Sequence, residues 1–171
     1  MNQEKQVNQK SLSSYWPLIT LIIISLLGAA AICLGLKERS YPLQGMHYFM
    51  GLLFCQFAML KIFDVPGFAD GFQMYDIIGK QFRPYALAYP FIELVLGLAY
   101  LSFLLPILTY LLTIFFMTIG VIGVMSALKR GLDIYCPCMG NVLKVPLSTV
   151  TLSEDLGMGI MALLMLLSRF L

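Results

Sequence analysis

The sequence predicts an all-α, polytopic membrane bundle of four to five transmembrane helices, and three observations carry the prediction. Of 171 residues, 60% are hydrophobic and only 12% are charged, against roughly 25% charged in an ordinary soluble domain. The apolar residues fall in runs of the length, about 20 residues, at which a helix crosses a hydrocarbon core of about 30 Å. The polar residues collect between those runs, where backbone has to leave a medium that cannot pair it. This length holds one bundle and no separate soluble domain. A net charge of +2 with no basic patch excludes nucleic acid as a partner, which leaves the lipid bilayer. Four unevenly spread cysteines do not form a secreted disulfide framework.

Residues 1–15 read as a polar tail and 16–171 as a single bundle. The first span, Trp16–Leu36, is longer than the 7–15 residues or so of a signal-peptide core, and no A-x-A cleavage site follows. Ile32 before Cys33 also spoils a lipoprotein-type site, so a retained helix is expected. The second span is Met46–Phe63, with Lys61 near its end. Residues 64–84, "DVPGFADGFQMYDIIGKQFRP", are too long and too apolar for a solvated turn and read as a structured interfacial loop or short amphipathic helix. The third span, Tyr85–Leu105, contains Pro90 and Glu93. It joins the fourth, Ile107–Ala127, through "FLLPIL", a tight hairpin with Pro106 where a first-turn proline is tolerated. A loop over 128–148 follows. The fifth span begins within "PLSTVTLSEDL", capped by Ser148 or Ser153, and runs to the last residue. Small residues at Ala31 and Gly35, and at Gly123 and Ala127, allow close helix approach.

Five crossings put Lys5, Lys10, Lys61, Lys80, Arg83, Lys129, Arg130 and Lys144 on one side, eight cations against three (Lys37, Arg39, Arg169). The positive-inside rule then places the N-terminus and the 128–148 loop in the cytoplasm. The same topology brings Lys61, Asp64, Glu93, Glu154 and Asp155 to the end of the bundle that carries that loop. Charges within spans face protein or water, because each costs about 3 kcal/mol at mid-membrane. Lys61 and Glu93 are the obvious pair, and Asp64, three residues beyond Lys61, lies on the same helix face. Such a group is either a structural ion pair with Lys61 snorkelling or a cluster that handles protons and stabilises a thiolate.

The loop itself reads "DIYCPCMG", residues 133–140. Cys136 and Cys138 are separated by one proline, which limits the backbone and pre-positions both sulfurs. A disulfide closed over so small a ring departs from relaxed geometry, and such strain makes it readily reduced. Lys129, Arg130 and Lys144 flank the loop, and nearby cations favour the reactive thiolate. The pair therefore reads as a labile dithiol/disulfide of a thiol–disulfide oxidoreductase. The alternative is a soft-metal site for copper or mercury, with Met139 as a third sulfur ligand beside Cys136 and Cys138. A sulfur ladder would favour that alternative, but Met50, Cys55 and Met59 are not at clean helical spacing. A non-catalytic assembly subunit is the third reading. Zinc is disfavoured, because four ligands are not visible and His47, the only histidine, lies at the far end of the second helix. His47 reads as an interfacial residue, and Cys33 and Cys55 as packing.

The segments "FAMLKIFDVPGFADGFQMYD", "LAYPFIELVLGLAY" and "CPCMGNVLKVPLSTVTLSEDLGM" resemble the MauE/DoxX redox-associated membrane proteins, most closely the methylamine-utilisation MauE branch. The likeness runs from about Met46 to Met161. It implies a small helical bundle of the bacterial inner membrane with thioredoxin- or glutaredoxin-like partners. It also implies a role in maturing a disulfide-rich periplasmic protein. The matching residues are Lys61, Asp64, Pro90, Glu93, Cys136, Cys138, Pro146, Glu154 and Asp155. A periplasmic role prefers the cysteines outside, where the charge count does not put them. Quinone is compatible as an electron acceptor, but no residue pattern identifies a site, and no other cofactor is evident.

Overall fold

A helix pairs every backbone N–H and C=O within its own segment, which is the condition lipid imposes on a spanning chain. The computed structural model describes residues 16–35, 42–129 and 147–169, with the side chains of 42 and 147–151 left aside. Among these residues the regular secondary structure is all helix: α1 (Trp16–Gly35), α2 (Pro42–Ile62), α3 (Val65–Phe72), α4 (Arg83–Ser102), α5 (Pro106–Lys129) and α6 (Leu147–Leu167). Four of them, α1, α2, α4 and α5, are long and apolar enough to cross a membrane. The protein is a multi-pass membrane protein, and α6, 21 residues long, matches the spans in length.

The helix ends shift from the expected ones for local reasons. α2 starts at Pro42 rather than Met46, because proline suits a first turn while Gln44, Gly45 and His47 dilute the hydropathy there. α4 likewise starts at Arg83, with Pro84 in its first turn. α6 starts at Leu147, so Ser153 stands inside the helix rather than at its cap, and the helix stops at Leu167. The hairpin between α4 and α5 is as tight as expected. Phe103 ends α4 in the left-handed region at φ 55°, and Leu105 follows at φ 44°. Each such non-glycine residue costs about 1–2 kcal/mol.

The helices pack antiparallel. α1 rests on α2, where Gly28 gives way to Leu52 and the buried Ser25 hydroxyl donates to Gln56 Oε1 at 3.2 Å. Gly51 and Gly97 bring α2 and α4 together: a Cβ on Gly97 would lie 3.1 Å from the Gly51 carbonyl oxygen, and one on Gly51 2.9 Å from that of Gly97. Gly35 faces open space, and Gly123 abuts the Tyr75 carbonyl in the α3–α4 connection rather than another helix. Two core clusters result. Met50, Phe54, Leu96, Tyr100, Tyr110, Met117, Met158 and Met165 fill the middle and one end. Phe68, Phe72, Tyr75, Ala86, Tyr89, Val124 and Ala127 fill the other end, where α3 lies. The outer surface is apolar, with residues such as Leu26, Val95, Phe115 and Leu163 exposed toward lipid.

His47, expected at the membrane interface, is instead buried at 2% exposure. Its Nδ1 donates to the Tyr100 carbonyl oxygen at 3.3 Å, so its Nε2 is the acceptor for the Tyr110 hydroxyl at 2.5 Å. Phe103 stacks on its ring at 4.5 Å between centroids, which helps hold the left-handed turn.

Candidate functional site

Side chains on a helix lean toward its N-terminus. Lys61 near the end of α2 therefore leans inward along the bundle, and Glu93 in the middle of the antiparallel α4 leans outward to meet it. Lys61 Nζ donates to Glu93 Oε1 at 2.5 Å, and each side chain is only 3% exposed. The rings of Phe57, Phe68 and Tyr89 surround the ammonium at 5.9, 5.4 and 5.5 Å. Cation–π attraction at a desolvated site is worth about 2 kcal/mol, so the aromatic walls partly replace the lost water. Pro90, one turn before Glu93, has no N–H for the Ala86 carbonyl in the helix ladder.

α3 closes this end. Asp64 sits at its N-cap and accepts from the Gly67 N–H at 3.0 Å, with Pro66 in the first turn. Phe68, Ala69 and Phe72 turn inward over Lys61. The connection to α4 is pinned by Asp76, whose Oδ1 accepts from Gly79 N at 2.6 Å and Ile78 N at 3.0 Å. Burial pushes the Asp76 carboxyl above its ordinary range against these two bonds. Burial also pushes the Tyr75 phenol well up, and the Asp155 and Glu154 carboxylates add to that, so Tyr75 stays a neutral hydroxyl.

α6 brings two more acids. Glu154 and Asp155 are 8% and 6% exposed. The Asp155 carboxyl fits only because residue 120 on α5 is glycine: a Cβ there would fall on its oxygens. Lys61, Tyr75, Tyr89, Glu154 and Asp155 line a cavity of about 10 Å³ together with Phe68, Phe72 and Gly120, close to the room one water needs. Among the described residues, Glu93 Oε2 and Glu154 Oε2 have no hydrogen-bond partner.

Lys61, Glu93, Glu154 and Asp155 thus meet in one buried cluster, while Asp64 serves as the cap of α3. Cys136, Cys138 and Met139 lie outside the described residues. The chain enters and leaves that segment beside the cluster, since Val124, Ala127 and Leu152 pack on α3 and its connection. Tyr75, Tyr89 and the phenylalanine walls were not foreseen. In a chain with 12 Phe and 9 Tyr nothing marks these few. Met50 is buried in the core, Met59 is exposed, and Cys55 packs near Gly97, so the three sulfurs share no face. Among the described residues no group of three or more His, Cys, Asp or Glu is placed to hold a metal ion.

Residues 39–168 match the family model of the methylamine utilisation protein MauE, and this span is most of the chain. The chain belongs to the MauE family. The matched span holds α2 to α6 and every residue of the buried cluster, while α1 precedes it. No curated protein and no solved structure matches the chain. Within the MauE match, the feature that the fold buries at greatest electrostatic cost is the cluster of one ammonium and three carboxyls.

Proposed function

We propose that this MauE-family protein is an integral membrane thiol–disulfide redox protein of the bacterial inner membrane. It supports disulfide exchange or maturation of a partner protein through Cys136 and Cys138, with Lys61, Glu93, Glu154 and Asp155 as its proton store. The family's methylamine-utilisation setting and the DoxX-like resemblance of the sequence belong to the same reading. The observation that carries it is the surplus of acid. An ion pair needs two of the four buried groups, and each further buried charge costs several kcal/mol that packing alone does not return. Three carboxyls around one ammonium stay neutral in sum only by holding protons, and a dithiol that cycles with its disulfide releases and takes up protons in pairs. The cluster lies at the bundle end where the chain enters the Cys-Pro-Cys segment.

Thiol trapping in membranes tests this. With Cys138→Ser, Cys136 should accumulate as a mixed disulfide with a thioredoxin-like partner. Glu154→Gln should slow formation of the Cys136–Cys138 disulfide at least tenfold without changing the amount of folded protein. A pair that stays reduced under mild oxidant, forms no mixed disulfide and binds Cu(I) tightly overturns the redox reading in favour of a soft-metal protein.

A further inference from the structure

A second cavity, of about 180 Å³, opens between α1, α2 and α6. Leu18 and Ile22 of α1, Leu53 and Phe57 of α2, and Met158 and Met161 of α6 line it. Two polar side chains line it, Ser153 and Glu154. The Glu154 side chain is more than nine-tenths buried, and its Oε2 has no hydrogen-bond partner among the described residues. Ile22 at the rim is exposed on the apolar outer surface, so the way in leads from the lipid phase rather than from water.

We propose that this cavity binds the ring head of a lipid-soluble quinone or quinol, held by one hydrogen bond to Glu154. Three properties of the cavity select that class. An apolar cavity of about 150 Å³ holds benzene, so the volume here fits one substituted six-membered ring and is too small for a phospholipid headgroup with its glycerol. Walls of Leu, Ile, Phe and Met suit a flat apolar ring, while a fatty acyl chain alone leaves the buried carboxyl oxygen unpaired, which is unfavourable. The oxygen of such a ring either accepts from a carboxylic acid as quinone or donates to a carboxylate as quinol, so both redox forms satisfy Glu154. That carboxyl also lines the small cavity beside Lys61, so the ring oxygen sits one side chain from the buried cluster. Its α1 wall precedes the span matched by the family model.

Gly157 makes the test clean. It lines the cavity, and nothing lies within 4 Å of where its Cβ would be. Gly157→Leu therefore sends a side chain into the cavity from a Cβ that meets no protein atom, and it replaces a poor helix former by a good one. The full chain carrying Cys136→Ser and Cys138→Ser, in phosphatidylcholine nanodiscs, is labelled with a photoreactive short-chain ubiquinone analogue and mapped by mass spectrometry. Saturable labelling on α1, α2 and α6, competed by decylubiquinone, is expected. It should fall at least tenfold in Gly157→Leu and in Glu154→Leu but persist in Glu154→Gln, whose amide still bonds the ring oxygen. Should Gly157→Leu fail to fold, Ile22→Trp closes the same cavity from α1. Labelling spread over the lipid-facing surface, labelling unchanged by the filling variants, or a site that phospholipid occupies and decylubiquinone does not displace overturns the proposal. Because both cysteines are absent, a negative result leaves the thiol reading standing, and failure of the thiol reading leaves this binding intact.

Discussion

At the residue scale, the Lys61–Glu93 pair carries the greatest electrostatic risk in the molecule. Removing one partner of a buried pair leaves the other uncompensated, at about 3–5 kcal/mol, whereas replacing both with apolar groups is often neutral. Lys61→Met and Glu93→Gln should therefore each lower the yield of folded protein in membranes severalfold, and the double variant should recover a large part of it. Gel filtration of detergent extracts measures this. A Glu93→Gln variant that folds as well as the parent would show that Glu154 and Asp155 compensate the Lys61 ammonium, and a Lys61→Met variant that does so would show that Glu93 is held as the neutral acid. These groups were legible in the sequence because a charge inside an apolar run stands out against its surroundings. The aromatic cage around Lys61 was not, since Phe and Tyr are common throughout the chain and only the packing of α3 and α4 against α2 selects Phe68 and Tyr89. His47 misled for a related reason. A single histidine near a helix end looks interfacial until the α4–α5 turn delivers Tyr100, Phe103 and Tyr110 around it.

Elements meet here through backbone as much as through side chains. α2 and α4 touch at Gly51 and Gly97, so Gly97→Ala forces a Cβ against the backbone of Cys55 and Gly51. Overpacking of that sort costs about 1–3 kcal/mol. Thermal unfolding should register it as a clear loss, while Gly35→Ala, which meets nothing, should be neutral or slightly stabilising. The sequence offered glycines as contact points without saying which ones are used, because spacing along one helix does not reveal where its partner crosses. The α3–α4 connection responds to pH through Asp76. Its carboxyl is held above the ordinary value near 3.8 by burial, so between that value and the raised one the folded state carries a proton that the unfolded chain has lost. Stability from this group is thus complete at low pH and declines as pH rises through that window. Asp76→Asn keeps an oxygen for Ile78 and Gly79 but cannot ionise. Proteolysis within 73–82 should then show a smaller rise with pH, from about pH 4 upward, than in the parent. An unchanged profile would assign the pH response to another group.

For the whole molecule, the open quantity is orientation. Eight cations against three favour a cytoplasmic α3 end, and burial of Lys61 in the cluster reduces the effective count to seven. That margin still predicts a cytoplasmic N-terminus, with the end of α6 on the opposite side. Alkaline phosphatase fused after residue 171 should be active, and a fluorescent reporter that matures only in the cytoplasm should be dark. The reverse result with a cytoplasmic N-terminal fusion would show that α6 does not cross. With an external N-terminus it would show the whole bundle inverted, with the Cys-Pro-Cys segment on the outer side. The four long apolar spans and their order could be read from hydropathy alone, because lipid leaves a spanning chain little choice, whereas α3 is too short and too mixed in composition for hydropathy to choose between a loop and a helix. Orientation rests on a small difference between loop charges, and the enclosure of the acids by α3 rests on packing that no one-dimensional pattern records.

The pairing of Lys61 with Glu93 also sets an order of events during synthesis. Their positions are 32 residues apart, and at about 5–20 residues per second the ribosome needs seconds to supply the second after the first. In that interval α2 enters the bilayer with a cation and no counter-ion. Its place at the very end of the helix lets the ammonium reach the headgroups and wait there. Only when α4 arrives can Lys61 be drawn inward and α3 fold over it. Glu154 and Asp155 emerge later still, to a site whose positive charge is already in place. The nascent chain therefore never has to hold its acids in lipid without a cation nearby.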